Sequence, residues 1–300
     1  MKRILSTLAL CLGLGTAAAA QEIAVVTHGQ PGDTFWDVVK AGVEAGAAEF
    51  KADVSYASPD SFDMSKMAKL IDAAVDRKVA GLIVSLPDSE ALGPSVDRAV
   101  KAGIPVISIN SGSDEAHLLG SLLHVGQNEF AAGRAAGEKM TQLGGKNAIC
   151  INQEVGNIAL DLRCAGFAQG FAGQVQMLSS SMDKQEMMAV IRGALQTDAT
   201  IDTVMALGAD SVGLPAIAAV AAEGRSEGMR IGTFDLSDGF LQAILDGQAI
   251  FAIDQQQYMQ GFLPIGLMKD YLEKGTLPEG DVQTGPNLVD ASTAADFLKK

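Results

Sequence analysis

Short β-branched runs alternate with helical patterns along almost the whole chain, and this alternation constrains the fold more than any single motif. The runs GLIVS, IPVISIN, NAICIN, RIGTFD and AIFAID end at Ser85, Asn110, Asn152, Asp235 and Asp254, and a helical pattern follows each closely. Alternating strand and helix predicts a parallel sheet with helices on both faces. In open sheets of that kind, ligands bind in the crevice beyond the carboxyl ends of the strands. The residues collected there are carboxylates and amides, with no nucleophile or metal cluster among them. Such a set suits a hydrogen-bonding cage for a polyhydroxylated ligand.

The amino terminus sets the compartment. Lys2 and Arg3 precede an apolar run from Ile4 to Leu14, and Ala18, Ala19 and Ala20 offer small residues for cleavage before Gln21. That pattern is a secretory signal peptide over residues 1–20, too short to span a bilayer, and it predicts a periplasmic protein. Within it, GLGTAA mimics a dinucleotide fingerprint but follows no strand. Leu10 before Cys11 is bulkier than a lipoprotein site needs, so lipidation is not expected.

The formal net charge is −14, and the leader carries two cations and no acid, so the mature chain is more acidic still. A chain this acidic has no electrostatic footprint for a phosphate backbone, which argues against nucleic acid as a partner. With 300 residues, of which 48% are hydrophobic, the chain has core material for two ordinary domains. Only Cys150 and Cys164 remain after the leader. Cys150 sits two residues before its strand ends, and Cys164 about two turns into the next helix. Standard rises put them at matching depths, roughly 7 Å and roughly 9 Å from the turn. A disulfide in an oxidising compartment and two buried free thiols are both open.

Strands are predicted at Ile23–Thr27, Val54–Ala57, Ala80–Ser85 and Ile104–Asn110, with helices over 35 onward, 64–77 and 90–102. A short strand before His124-Val125-Gly126 leads into the helix 128–143. The alternation restarts at Asn147–Asn152 and continues to Asp254; a helix to Lys274 and an extended tail from Asp281 close the chain. Two such runs, with a helix resuming after the second, predict an α/β protein of two doubly wound parallel-sheet domains joined by a three-strand hinge. The expected lobes are 21–125 plus 255–282 and 126–254 plus 283–300, with the ligand cleft between them.

The signal peptide, IPVISINSG, HVGQNEFAAGRAAGEKM, the Arg163-x-x-Gly-Phe step, GTFDLSDG and FAIDQQQYMQG occur in order across essentially the whole mature chain. Together they resemble the periplasmic sugar-binding proteins of ribose/galactose type, the substrate-capturing subunits of ABC importers. The resemblance implies the two-domain fold just described, closing on one sugar. It places first-loop aromatics at Phe35 and Trp36, with Asp33 where ribose binders carry an asparagine. An Asp-Arg pair in the family falls on Asn110 and Ser111, a departure that leaves the identity of the sugar open. Arg163 matches the arginine that opens the second domain's contribution. A family asparagine falls near Ala209, with Asp210 beside it. Asp235 and Gln255 match the carboxylate and amide that close the cleft, and Asp88 and Asn157 lie in matching cleft loops.

Each residue has a plainer role open to it. Trp36, the sole tryptophan, could be core under the first helix, and one of the adjacent Phe35–Trp36 pair must face away from the ligand. Asp235 could cap the helix after it. Arg163 could be a surface cation. In Gln255-Gln256-Gln257, one glutamine is expected to face the ligand while the others sit at a domain crossover. His28 faces the cleft in this reading and His124 belongs to the hinge; with His117, their spacing fits no metal site. No phosphate loop or G-x-S-x-G elbow occurs, so neither an enzyme nor a cofactor is expected. The function expected is capture of a monosaccharide or sugar alcohol by a monomer that delivers it to an ABC permease. The alternative is a sensory receptor docking on a histidine kinase or chemoreceptor.

Overall fold

The structure is a computed structural model and describes residues 21–298; the leader and Cys11 lie outside the described residues. The first half runs β1 (Ile23–Val26), α1 (Thr34–Phe50), β2 (Val54–Ala57), α2 (Met64–Asp76), β3 (Gly81–Ser85), α3 (Ser89–Lys101), β4 (Val106–Ile109), α4 (Ser113–Leu118) and β5 (His124–Gly126). There follow α5 (Glu129–Gln142), β6 (Asn147–Asn152), α6 (Ile158–Gly170), β7 (Gln174–Ser179), α7 (Lys184–Thr197) and β8 (Thr203–Ala206). A π-turn at Ala209–Gly213 leads into α8 (Leu214–Ala222), β9 (Arg230–Phe234), α9 (Asp238–Leu245), β10 (Phe251–Asp254) and α10 (Gln257–Lys274). The chain ends in β11 (Val282–Gln283), β12 (Asn287–Asp290) and α11 (Ala294–Phe297).

These strands form two six-stranded sheets, ordered β11-β5-β4-β3-β1-β2 and β12-β10-β9-β8-β6-β7. Every neighbouring pair is parallel except β10 with β12. The buried strands are apolar on both faces, as parallel sheets require. In the first sheet, Ala24, Val26, Leu82 and Val84 pack on one face with Met67, Ile71, Leu92 and Val96. Their alternates Ile23, Val25, Ile83 and Ile107 pack on the other with Val39, Val43, Ile265 and Met268. The second sheet divides in the same way.

The chain passes between the sheets after β5, after β10, and again between β11 and β12. The tail from Asp281 is therefore not merely extended, as the sequence suggested. One short piece joins each sheet, and β12 is antiparallel because it returns along the edge of β10. His124-Val125-Gly126 is itself the strand rather than its sequel, and helices α4 and α11, each under two turns, are too short for periodicity to reveal.

Helix starts follow from capping. Asp33, Asp63, Asp88, Asn128, Asn157, Asp183 and Ser237 each accept a backbone N–H in the first turn of the helix that follows. These acceptors satisfy donors that the helix itself leaves orphaned.

Helices α5 and α6 touch backbone to backbone. A Cβ on Gly133 would lie 2.1 Å from the Arg163 carbonyl oxygen, and one on Gly166 would lie 2.1 Å from that of Phe130. Only glycine permits this approach, which sets Glu129 at the start of α5 opposite Arg163 on α6. On the same layer Cys150 and Cys164 are joined in a disulfide across 5.8 Å between Cα atoms. The closed loop has a sequence separation of 14, and a crosslink of that span stabilises by about 3 kcal/mol through the unfolded chain. The Cys150→Ala/Cys164→Ala protein should therefore melt roughly 6–12 °C lower than the oxidised parent. Parallel thermal scans with and without reductant check this; coincident curves would mean the bond contributes nothing.

Candidate functional site

The carboxyl ends of both sheets face a common cleft. An outer cavity of about 220 Å³ is lined by residues 30–35, Met182, Lys184, 208–211, Asp235 and Leu236. An inner one of about 40 Å³ is lined by His28, Asp33, Phe35, Trp36, Asn110, Gln153, Glu154, Asn157, Leu160, Arg163, Met182, Leu207, Gly208, Ser211, Asp235 and Gln255. They share Asp33, Phe35, Met182, Gly208, Ser211 and Asp235, so they are two parts of one cleft. The outer part is the larger, but the convergent polar chemistry is in the inner part. The volume is below the range usual for drug-sized ligands and suits one small molecule.

Two strand ends aim their polar residues by backbone geometry. Asn110 and Asp235 have φ of 63° and 70°, the left-handed region that Asn and Asp tolerate best among side-chain-bearing residues. Asn110 Nδ2 donates to Gln255 Oε1 at 3.3 Å and Gln260 Oε1 at 3.2 Å. Gln255 Nε2 in turn donates to Asp235 Oδ1. A hydrogen-bonded chain thus runs from the first sheet through the β10–α10 crossover to the second sheet. Of the three glutamines, Gln255 lines the cleft, Gln256 binds the Thr284 carbonyl oxygen at 2.7 Å, and Gln257 opens α10.

Arg163 is buried. Its Nε donates to Glu129 at 2.5 Å and its Nη2 at 3.0 Å, a two-point ion pair. Nη2 also reaches Gln255 Oε1 at 3.4 Å, and the guanidinium lies 4.6 Å from the Phe234 ring centre. Burial acts to lower its pKa, but the charge of Glu129 prevails and raises it. Glu129 was not anticipated as its partner.

His28 is fixed from both sides. Its Nδ1 lies 2.7 Å from Ser85 Oγ, and Asn157 Nδ2 donates to its Nε2 at 3.3 Å. Nε2 is thus the acceptor and Nδ1 carries the proton. Burial, then the nearby Arg163, push its pKa down to about 3, so the ring is neutral. Asn157 Nδ2 also donates to Glu154 Oε2 at 2.7 Å. Burial pushes Glu154 up to about 7, opposed by that bond and raised further by Asp33. Asp33 rises to about 6, mainly through burial, although the Phe35 and Trp36 backbone amides hold it down. The domains also meet directly, with Thr34 Oγ1 donating to Asp210 Oδ2 at 3.0 Å and Ile158 N to the Pro87 carbonyl at 2.9 Å.

Ten of the residues singled out in the sequence line the cleft: His28, Asp33, Phe35, Trp36, Asn110, Asn157, Arg163, Asp210, Asp235 and Gln255. Asp88 and Ser111 do not. Asp88 caps α3 by accepting Ala91 N at 2.9 Å, so its carboxylate is committed to the helix. Ser111 N donates to the Ile109 carbonyl at 2.7 Å, and this tight turn after Asn110 leaves its buried hydroxyl outside both linings. Asp235 is not a cap, since Ser237 Oγ accepts Phe240 N. Sequence reasoning missed Gln153, Glu154, Met182 and Ser211. The signal for Gln153 and Glu154 was their place just past β6, where the terminal Asn152 drew attention instead. Asn152 only holds the turn, donating to Asp161 at 2.8 Å and accepting Glu154 N at 2.8 Å.

The aromatic pair divides its roles. Trp36 is 5% exposed and belongs to the core under α1, edge-on to His28 at 4.6 Å and to Phe35 at 5.1 Å. Phe35 is half-buried and lines both parts of the cleft. Phe35→Ala should weaken ligand binding up to roughly tenfold with little loss of stability. Trp36→Ala should cost about 3–5 kcal/mol of folding stability. Calorimetric titration beside thermal melting separates the two, and a stability loss in Phe35→Ala alone would reverse the assignment.

Among the described residues, no group of three or more His, Cys, Asp or Glu is placed to hold a metal ion, and no helix is long and apolar enough to cross a membrane. Residues 23–276 match the family described as the periplasmic binding protein domain. The chain belongs to that family. It is similar to a solved carbohydrate transporter from Acidothermus cellulolyticus 11B in complex with myo-inositol: 38% identical, TM-score 0.89, covering 94% of this chain and 98% of that one. The ribose import binding protein of Haemophilus influenzae is 25% identical, over 92% of this chain and 94% of its own. A xylitol-binding protein of Mycolicibacterium smegmatis is 27% identical, over 93% and 80%. The family consists of substrate-binding transport proteins.

Proposed function

We propose that this protein captures a monosaccharide or sugar alcohol between its two domains in the periplasm and delivers it to an ABC permease, acting as a monomer and without catalysis. The observation that carries this reading is the convergence of Asp33, Asn110, Glu154, Arg163, Asp235 and Gln255 on one small cleft beside Phe35. Carboxylates and amides that bond adjacent hydroxyls, with an aromatic face for C–H groups, are what a sugar ring requires. The myo-inositol in the Acidothermus relative supports a cyclic polyol of this size. The import role named for the Haemophilus relative favours delivery to a permease over docking on a kinase or chemoreceptor. The lobes are taken as 21–125 with 255–282, and 126–254 with 283–300; they close as rigid bodies about the three crossings.

A thermal-shift panel of pentoses, hexoses, cyclitols and alditols tests the reading. A ligand at 100 times its dissociation constant should stabilise the fold by about 2.7 kcal/mol. Small-angle scattering at saturation should then give a smaller radius of gyration. A panel that shifts nothing, or a ligand that stabilises without compaction, would count against a closing carbohydrate cleft.

A further inference from the structure

We propose that the ligand of this cleft is an aminated polyol, a sugar or cyclitol carrying a protonated amine, held in preference to its all-hydroxyl parent. The inference rests on the carbohydrate reading above and names the class of ligand within it. It follows from the balance of charge and of hydrogen-bonding capacity in the inner cleft.

Three carboxylates line that space from both domains: Asp33 from the first, Glu154 and Asp235 from the second. Its one guanidinium, Arg163, is closed at two points by buried Glu129, so the pair brings no net positive charge. His28 is neutral, held by Ser85 and Asn157. The remaining charges that line the cleft, Asp210 and Lys184, sit at the outer part and offset each other. Once its three carboxyls are ionised, as they are by pH 8, the inner cleft is therefore negative.

The hydrogen-bonding atoms lean the same way. The amide donors are already committed: Asn110 Nδ2 to Gln255 and Gln260, Asn157 Nδ2 to Glu154 and His28, and Gln255 Nε2 to Asp235. The acceptors are not. Gln153 lines the cleft at 9% exposure, and its buried Oε1 has no partner. Glu154 and Asp235 each engage one oxygen with a side-chain donor and leave the other without one. A hydroxyl brings one proton and two lone pairs, so beside these acceptors only its proton is used, and its lone pairs must turn to the Arg163 guanidinium. An ammonium brings three protons, no lone pair and one positive charge. Its bonds to carboxylates are charge-assisted and about twice as strong as neutral ones. Burial raises Asp33, Glu154 and Asp235 to about 6, 7 and 7, although Arg163 pulls the last two down; a cation bound among them would favour their charged forms further.

The test is calorimetric titration of the full mature protein with matched pairs at pH 8: glucose and glucosamine, galactose and galactosamine, myo-inositol and an inositol with one hydroxyl replaced by an amine. The amine of at least one pair should bind ten times or more tighter than its hydroxyl partner. In Glu154→Gln, and separately in Asp235→Asn, the ratio within that pair should fall at least threefold. The readout is a ratio, so a general weakening of the site does not move it. Hydroxyl members binding as tightly as amines would overturn this inference and leave the carbohydrate reading standing. A preference that both variants leave unchanged would also overturn it. Binding by no member of any pair would overturn this inference, and a wider panel of pentoses and alditols that also shifts nothing would sink the carbohydrate reading with it.

Discussion

Glu129→Gln should destabilise the protein by about 3–5 kcal/mol, because it strands the Arg163 guanidinium in the interior. Both side chains are 3% exposed and joined at two points. Glu129 also accepts Gln127 Nε2 at 3.0 Å, so its carboxylate serves two donors at the start of α5. Glutamine keeps the shape and one acceptor but returns no charge. At about 2–4 °C for each kcal/mol in a protein of this size, the melting point should fall by roughly 6–20 °C. A double variant, Glu129→Leu/Arg163→Met, removes both charges together and should recover most of the loss. It should not recover ligand binding, since Arg163 lines the cleft. A single variant that melts within a degree of the parent would show that the buried pair adds no net stability.

The architecture was legible because it depends on periodicity. The strands are continuous apolar runs, since both faces of a parallel sheet are covered, and Asp, Asn and Ser punctuate the helix starts. Two deviations have the same cause, which is length. The short α4 and α11 and the two-residue β11 are each below the span over which a period can be recognised. The antiparallel return of β12 depends on the last passage between sheets, which leaves no local trace in the residues.

The cleft was less legible, and its errors are instructive. Ser85, Asn110, Asn152, Asp235 and Asp254 all end apolar runs, yet only Asn110 and Asp235, each one residue past its strand, line the cleft. What distinguishes those two is a left-handed backbone, which a residue name permits without requiring. Ser85 supports the site at one remove through His28, and Asn152 braces its turn. Asp88 illustrates a different ambiguity: one aspartate at a strand-to-helix junction can cap the helix or face a ligand, and spacing does not separate the two. Asp33 does both, capping α1 while lining the cleft. Glu129 escaped notice because it opens a helix in the ordinary way for an acid. Its importance comes from the glycine contact of α5 with α6, which brings Arg163 to it.

Asp235→Asn should lower ligand affinity at least tenfold while leaving the ligand-free protein as stable or more so above pH 7. Asparagine keeps the size and tolerates the φ of 70° at this position, where alanine would be strained. The hydrogen bonds it can offer a ligand are neutral, about 0.5–1.5 kcal/mol each against about 1.5–3 to a charged group. Losing that difference of about 1–1.5 kcal/mol at two bonds to the ligand passes the roughly 1.4 kcal/mol that makes a factor of ten. The stability effect has the opposite sign. Burial raises the folded pKa of Asp235 to about 7, against the pull of Arg163 and the bond from Gln255. The unfolded chain releases the same proton near 4. Between those values the folded state holds more protons, so its stability is full below pH 4 and declines as the pH rises through 7. Asparagine has no proton to release, so the variant's melting point should vary less over that window and meet or exceed the parent's at pH 8. Melting curves from pH 4 to 8, run beside titrations with the tightest ligand of the panel, read both effects at once. Normal binding in a variant that melts several degrees lower would assign Asp235 to the architecture of the β9 turn instead of to the ligand.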